Sequence, residues 1–257
     1  MFKESTRGIL VAVEGIDGAG KTTQVSMLKR ALSHAGERVI SSKEPTNGKW
    51  GSILRRSAQS GRLSLDEELD TFIQDRTEHV QLKIKPHLAS GEVVILDRYF
   101  YSTIAYQGAR GADVAAVSLE MYTRFPEPDA VFILDVDPVV GIHRIANDRG
   151  EEPNHFEDRG SLVQARDIFN QMNRKNIHRI DGLLSIREVH RQIMSLFVDG
   201  PLKEKRCAKE YGCDDPFHGS YRWSGSCEWW NLRAKLAVQG QDSVSQSLPL
   251  PPGDAEA

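Results

Sequence analysis

Cysteine is absent from the first 200 of the 257 residues; the three present, Cys207, Cys213 and Cys227, all fall later. A disulfide scaffold is therefore excluded for the bulk of the chain. Long apolar runs are missing too, and none approaches the ~18 residues a membrane span requires. The opening Met1-Phe-Lys-Glu-Ser-Thr-Arg-Gly8 sets charged and polar residues where a signal peptide has its apolar stretch, so a cytoplasmic chain is expected. Positive charge is not in excess: 33 Lys+Arg stand against 36 Asp+Glu, a net charge of -3. That balance argues against a protein that coats nucleic acid, and neither a nucleic-acid nor a membrane partner is expected. There is no internal repeat. What is left, 39% hydrophobic and 27% charged, is ordinary globular composition with room for one large domain and an appendage. Three of the four tryptophans, Trp223, Trp229 and Trp230, sit with the cysteines near the end, so the chain is not uniform.

Residues 8–200 alternate between two periods. Short Val/Ile-rich runs at 8–14, 93–96 and 130–134 read as strands buried on both faces, with a further candidate at 38–41 and a weaker one at 177–180. Thr22–His34 carries apolar residues at Val25, Leu28 and Leu32, an amphipathic helix stopped by Gly36. Ser64 opens another helix as its cap, with acids in the first turn, running to about His87 with a bend at Pro86. Ile186–Phe197 supplies a last helix. Strand, helix, strand in this rhythm predicts an α/β fold: a five-stranded parallel sheet covered by helices in three layers. The rhythm stops after Asp199-Gly-Pro201. Residues 1–200 are thus expected to form the main domain and 201–257 an extension, ordered at most over 202–235, with 236–257 disordered.

Gly15-Ile-Asp17-Gly18-Ala19-Gly20-Lys21-Thr22 matches G-x-x-x-x-G-K-[ST] in full, after a strand and before a helix. The spacing has a physical reason. Backbone N–H groups of Gly15, Gly18, Ala19, Gly20 and Thr23 can ring a phosphate beside a helix N-terminus, Lys21 can reach the outer phosphates, and the Thr22 hydroxyl can bind Mg²⁺. Nucleotide phosphate binding follows, without choosing between hydrolase, switch and kinase. Two further segments bear on that choice. Asp97-Arg98-Tyr99 follows directly on a strand, where ligands of open parallel sheets collect; an acid there suits a metal shell and an arginine a phosphate. Asp148–Arg159 is a polar, arginine-bearing stretch between helical patterns, suited to a mobile lid that delivers a cation.

Together these motifs resemble thymidylate kinase, of the P-loop nucleoside monophosphate kinase family, over about residues 8–198. The resemblance rests on Glu14 through Gln24, on Lys43-Glu44-Pro45, on Phe72-Ile-Gln-Asp75-Arg76, and on Asp97-Arg98-Tyr99 followed by Ser102-Thr103-Ile-Ala105-Tyr106-Gln107-Gly108. It implies transfer of the ATP γ-phosphate to dTMP with Mg²⁺. It implies that Phe72 stacks on thymine, that Arg76 bonds its carbonyl edge, and that Thr103 and Gln107 contact the base or nearby atoms. Tyr106 would exclude a ribose 2′-hydroxyl, Asp17 would take the 3′-hydroxyl, Pro45 would border the acceptor, and Arg55 is a second candidate for the acceptor phosphate. Arg98 would bind the acceptor phosphate, while Asp97, with Thr22, would organise Mg²⁺. Lys21, Asp97, Arg98 and Arg149 would be the catalytic set. Some members carry an arginine at the position of Gly18; its absence implies the subtype that takes its catalytic arginine from the lid. Arg149 is the first choice there, with Arg144 and Arg159 as alternatives. A homodimer is implied by the resemblance alone. Lys43 stands where the family often has arginine, which keeps the charge and loses the fork, so dUMP is an expected second acceptor.

The tail is outside the resemblance. Cys207, Cys213, His218 and Cys227 could hold Zn²⁺, though the spacing matches no C-x2-C knuckle. Two other readings stay open: a kinase for another nucleoside monophosphate, and a nucleotide-regulated binding protein whose tail engages a partner.

Overall fold

The computed structural model describes residues 8–149 and 159–204, excluding the side chains of Asp148 and Arg149. The four tail residues considered for zinc lie outside it. Five strands form one sheet in the order β2-β3-β1-β4-β5. They are β1 (Ile9–Glu14), β2 (Val39–Lys43), β3 (Val93–Asp97), β4 (Ala130–Asp135) and β5 (Ile177–Asp181). Every pairing is parallel, as the strand–helix rhythm predicts.

The burial of β1 explains its composition. Leu10 and Ala12 enter the apolar layer on one face; Ile9, Val11 and Val13 enter the layer on the other. The first layer is completed by α3 (Leu65–His79), α5 (Phe100–Ala109), α6 (Val114–Arg124) and α8 (Arg159–Gln171). The second is completed by α1 (Lys21–His34), through Val25, Leu28 and Leu32, and by α9 (Ile186–Phe197), through Val189, Ile193 and Phe197. With no face left to water, a strand has no use for alternating polarity. Pro201 and Leu202 are buried as well, and Leu202 belongs to the second layer, so the packed core runs to the last residues described.

Ser64 caps α3 through a capping box: its hydroxyl accepts from the Glu67 N–H at 3.3 Å while the Glu67 carboxylate accepts from the Ser64 N–H at 3.2 Å. The expected bend at Pro86 comes one turn earlier. A π-helical turn, Val80–Ile84, follows α3, and α4 (Lys85–Ala89) then carries Pro86 in its first turn. The Lys85 N–H bonds to the Val80 carbonyl, so the backbone widens before proline, which has no N–H to donate and crowds the carbonyl four residues back.

β1 lies between β3 and β4, but the chain runs from β1 out to β2, back to β3, and then across β1 to β4. Ligands collect at the carboxyl ends of strands where the order reverses in this way. The phosphate loop leaves β1 at that end, and Asp97 closes β3 beside it, with Val13 paired to Asp97.

Candidate active site

The loop from Gly15 to Gly20 turns sharply into α1, with Gly20 as N-cap at φ 90°. Gly18 shows why side chains are excluded. Its φ is 76°, and a Cβ there would meet the Gly141 carbonyl oxygen at 2.2 Å. Gly141 belongs to α7 (Pro138–Arg149), and a Cβ on it would meet the Asp17 carbonyl oxygen at 2.6 Å. Loop and helix therefore touch backbone to backbone.

Lys21 donates to the Ile16 carbonyl at 2.7 Å across the loop. Burial and then the neighbouring Arg98 lower its ammonium to about 7. The Thr22 hydroxyl donates to Asp97 Oδ2 at 2.5 Å. Asp97 is buried, and its Oδ1 has no hydrogen-bond partner among the described residues. A hydroxyl beside a carboxylate with one orphaned buried oxygen is a donor set for a hard divalent cation, and so fits Mg²⁺.

Arg98 adopts φ 70°, unusual for a residue with a side chain. Glu14, fully buried at the end of β1, holds the turn in place. Its carboxylate accepts from the Tyr99 N–H at 2.7 Å, the Ser102 N–H at 3.3 Å and the Ser102 hydroxyl at 2.6 Å, capping α5 from another strand. Burial outweighs these bonds and the field of Arg98, and pushes the Glu14 carboxyl up to about 7. The Arg98 guanidinium then reaches the Gly15 carbonyl (3.2 Å), the Ser102 hydroxyl (3.0 Å) and Asp17. Burial works to raise the Asp17 carboxyl, but Arg98, Lys21 and the Tyr106 hydroxyl, which donates to it at 2.7 Å, hold it at about 2.

Eight of the residues expected at the acceptor line one cavity of about 630 Å³: Asp17, Pro45, Arg55, Phe72, Arg76, Arg98, Thr103 and Tyr106. Arg76 is held deep in its wall by Glu44 (2.8 Å from Nε) and Thr103 (2.9 Å). Arg55, from α2 (Lys49–Ser60), donates to the Pro45 and Thr46 carbonyls at 3.1 and 2.6 Å. Gln107 is not in the lining; it is buried behind it and donates to Glu68 at 2.8 Å. Glu44, Asp75, His79 and Ser102 are residues the motif reading left without roles. Asp75 grips Thr46 through its N–H (2.8 Å) and hydroxyl (2.6 Å), while His79 grips Glu44 and Ser42. Glu68, Asp75, Arg76 and His79 recur at helical intervals on α3, but a charged stripe at that spacing reads locally as a solvated face, so no local signal singled out Asp75 or His79.

Of the three lid arginines, Arg144 lies against the loop, with its guanidinium 3.4 Å from the Gly18 carbonyl and 3.1 Å from that of Gly182. Arg159 begins α8 and is exposed. Arg149 ends α7. Further along α8, Arg166 makes a forked pair with Asp135, at 2.6 and 3.1 Å.

A phosphate loop beside a cavity lined by Arg55, Arg76 and Arg98 marks the class as a P-loop phosphotransferase. Comparison with known proteins narrows the class. The thymidylate kinase family profile matches residues 13–193. The thymidylate kinase of Xanthomonas oryzae pv. oryzae (strain PXO99A) is 48% identical over 191 residues, covering 74% of this chain and 83% of that one. Among solved structures, thymidylate kinase from Candida albicans superposes with a TM-score of 0.63 at 25% identity, over 74% of this chain and 91% of the other. That of Ehrlichia chaffeensis gives 0.60 at 30% identity, over 74% and 98%. The chain belongs to the thymidylate kinase family.

Proposed function

We propose how this chain's residues carry the family's reaction, transfer of the γ-phosphate of ATP to dTMP to give dTDP and ADP. The observation that supports it best is that Asp17 and Arg98 line the same cavity as Phe72, Arg76 and Thr103. A deoxynucleotide laid along it has its phosphate at Arg98, beside the phosphate loop, and its base at Phe72.

Each group has a physical task. Phe72 offers stacking area, and Arg76 and Thr103 offer fixed polar partners, so an acceptor with the wrong base edge would leave buried groups unpaired. Tyr106 fills the space beside the sugar and orients Asp17 toward the 3′-hydroxyl. Arg98 holds the acceptor phosphate. Lys21 and the loop N–H groups hold the ATP phosphates; phosphate charge restores the ammonium that burial disfavours. Thr22 and Asp97 hold Mg²⁺, which supplies charge neutralisation between donor and acceptor when bound. Transition-state charge on the transferred group then needs one more mobile cation, which we assign to Arg149. Gln107 acts behind the base through Glu68, not by touching it.

A coupled ADP-release assay across dTMP, dUMP, CMP, AMP and GMP tests the acceptor assignment. The highest kcat/KM is expected for dTMP, with dUMP next because Lys43 lacks the arginine fork; a preference for CMP, AMP or GMP would overturn it. The finer readings have their own measurements. Light scattering on a sizing column tests the homodimer that the family resemblance supports. Zinc per purified chain, with Cys213→Ser as control, tests the tail as a metal site. Cell fractionation tests a cytoplasmic location, which the composition supports; among the described residues no helix is long and apolar enough to cross a membrane.

A further inference from the structure

Glu44 is pulled from two sides. Arg76 Nε donates to its Oε2 at 2.8 Å, and His79 Nδ1 lies 2.8 Å from its Oε1. The other imidazole nitrogen, Nε2, lies 2.8 Å from the Ser42 hydroxyl. All three side chains in this group, Arg76, Glu44 and His79, are no more than 3% exposed. The structure assigns His79 a part in acceptor recognition: it is a positioning residue that limits Arg76 to one bond with Glu44 and so keeps the guanidinium aimed at the base. This rests on the reading that Arg76 meets the base.

The argument is one of hydrogen-bond capacity. A carboxylate with both oxygens available takes arginine as a two-bond fork. Here one oxygen is occupied by the imidazole, so Arg76 gives only its Nε–H. Its terminal nitrogens go elsewhere, one to Thr103 at 2.9 Å and the other 3.2 Å from the Met121 sulfur. Without the imidazole, Oε1 would be a buried carboxylate oxygen with no donor, which is costly. Arg76, already bonded to the other oxygen of the same carboxylate, is placed to repair that, in competition with the buried, unpartnered Tyr99 hydroxyl. Swinging to a fork draws a terminal nitrogen away from Thr103 and rotates the guanidinium plane in the cavity wall. Ser42 supports the required tautomer: its O–H can donate to Nε2, which leaves the proton on Nδ1 facing Glu44.

The role is separable from holding the segment together. Asp75 independently fastens Thr46 to α3 through two bonds, and Glu44 is itself tied to β3 by its N–H, 3.1 Å from the Asp97 carbonyl. Loss of the imidazole therefore frees a carboxylate oxygen while the backbone around it stays anchored.

Steady-state kinetics on the full chain, with melting temperatures alongside, test the proposal. His79→Ala should raise KM for dTMP about tenfold, leave KM for ATP unmoved and lower kcat by less than about threefold. His79→Asn places an amide N–H where Nδ1–H stands and should restore KM for dTMP. His79→Gln is polar and similar in size but puts its amide at the Nε2 position, and should not. In a Glu44→Ala background His79→Ala should add nothing, because no carboxylate oxygen is left to free. Equal KM values for the Asn and Gln variants, or additive effects with Glu44→Ala, would overturn the proposal, and the Asn–Gln pair decides it even if the alanine variant does not fold. Arg76→Ala separates the two layers. An unchanged KM for dTMP there removes the base reading itself; a raised one, with His79→Ala silent, removes only the role of His79.

Discussion

The Thr22 hydroxyl donates to Asp97 at 2.5 Å across 75 residues of chain, joining the first turn of α1 to the last residue of β3. The bond brings the two side-chain oxygens together and leaves Asp97 Oδ1 buried without a donor among the described residues. Asp97→Asn preserves the shape and can still accept from Thr22, but it removes the charge. The expected result is a loss of ~10²–10³ in kcat and a higher Mg²⁺ requirement, because the metal's charge is no longer matched in a water-poor site. Rate measured against total Mg²⁺ at fixed ATP checks this. A variant with the wild-type Mg²⁺ requirement would show that Asp97 does not serve the metal.

Lys21 and Glu14 make the ligand-free enzyme least comfortable near neutrality. The Lys21 pKa is lowered from 10.5 to about 7, by burial first and Arg98 second. Between those values the unfolded chain binds the proton and the folded one does not, so this group makes stability rise with pH from about 7 to 10.5. Glu14 is raised from 4.5 to about 7, so across that window the folded state holds the extra proton and stability falls as pH rises. Lys21→Met removes the first penalty. It should abolish activity and raise the melting temperature of the ligand-free enzyme at pH 7 by roughly 3–6 °C, with a smaller gain at pH 9.5. Calorimetry at the two pH values checks the sign; a variant less stable at pH 7 would contradict it.

The strands were legible for a reason that can be stated residue by residue. β1, β3 and β4 are covered on both faces, so every position before the terminal carboxylate had to be apolar, and the run itself was the signal. β5 is mostly half-exposed or exposed, which is why 177–180 read weakly. The phosphate loop was legible because only that spacing of glycine, lysine and threonine rings a phosphate. The polar grip of α3 on residues 42–46 was not. Asp75, Arg76 and His79 on one helix face read locally as a solvated surface. They are buried only because the end of β2 returns against them, a contact that local pattern does not encode. Gln107 follows Tyr106 on α5, but a one-residue step turns a side chain by about 100° on a helix; it donates to Glu68 and is not in the cavity lining.

Tyr106 has two separable jobs, and two substitutions should split them. Its hydroxyl donates to Asp17 at 2.7 Å, while its ring centre lies 5.3 Å from the Arg98 guanidinium carbon and lines the cavity. Tyr106→Phe keeps the ring and removes one donor to Asp17. KM for dTMP should rise about three- to tenfold, the scale of one hydrogen bond to a charged group, with the preference for deoxy over ribo acceptors intact. Tyr106→Ala removes the ring as well, and that preference should weaken. Comparing dUMP with UMP as acceptors measures it. If the phenylalanine variant loses the preference, the hydroxyl and not the ring's bulk excludes ribose.

The source of the last cation can be decided between Arg144 and Arg149. Arg144 is committed to carbonyls on both sides of the donor site, Gly18 and Gly182, which suits a group that shapes the ATP end of the loop. Arg149 stands more than one turn further along α7, at the helix end that leads into the lid. An arginine that acts only on transition-state charge should affect turnover and not ground-state binding. Arg149→Ala should therefore lower kcat by more than ~100-fold with KM for dTMP and ATP within about threefold. Arg144→Ala should instead raise KM for ATP by about five- to tenfold while sparing most of kcat. The loop cannot take over the task. Gly18→Arg would need a side chain at φ 76° with its Cβ driven into the Gly141 carbonyl, so it should disrupt the loop and not rescue Arg149→Ala. Single-turnover rates with both substrates saturating separate chemistry from binding. If they put the large loss on Arg144→Ala and a small one on Arg149→Ala, the catalytic arginine is the one already seated against the loop, and no cation need arrive from the lid.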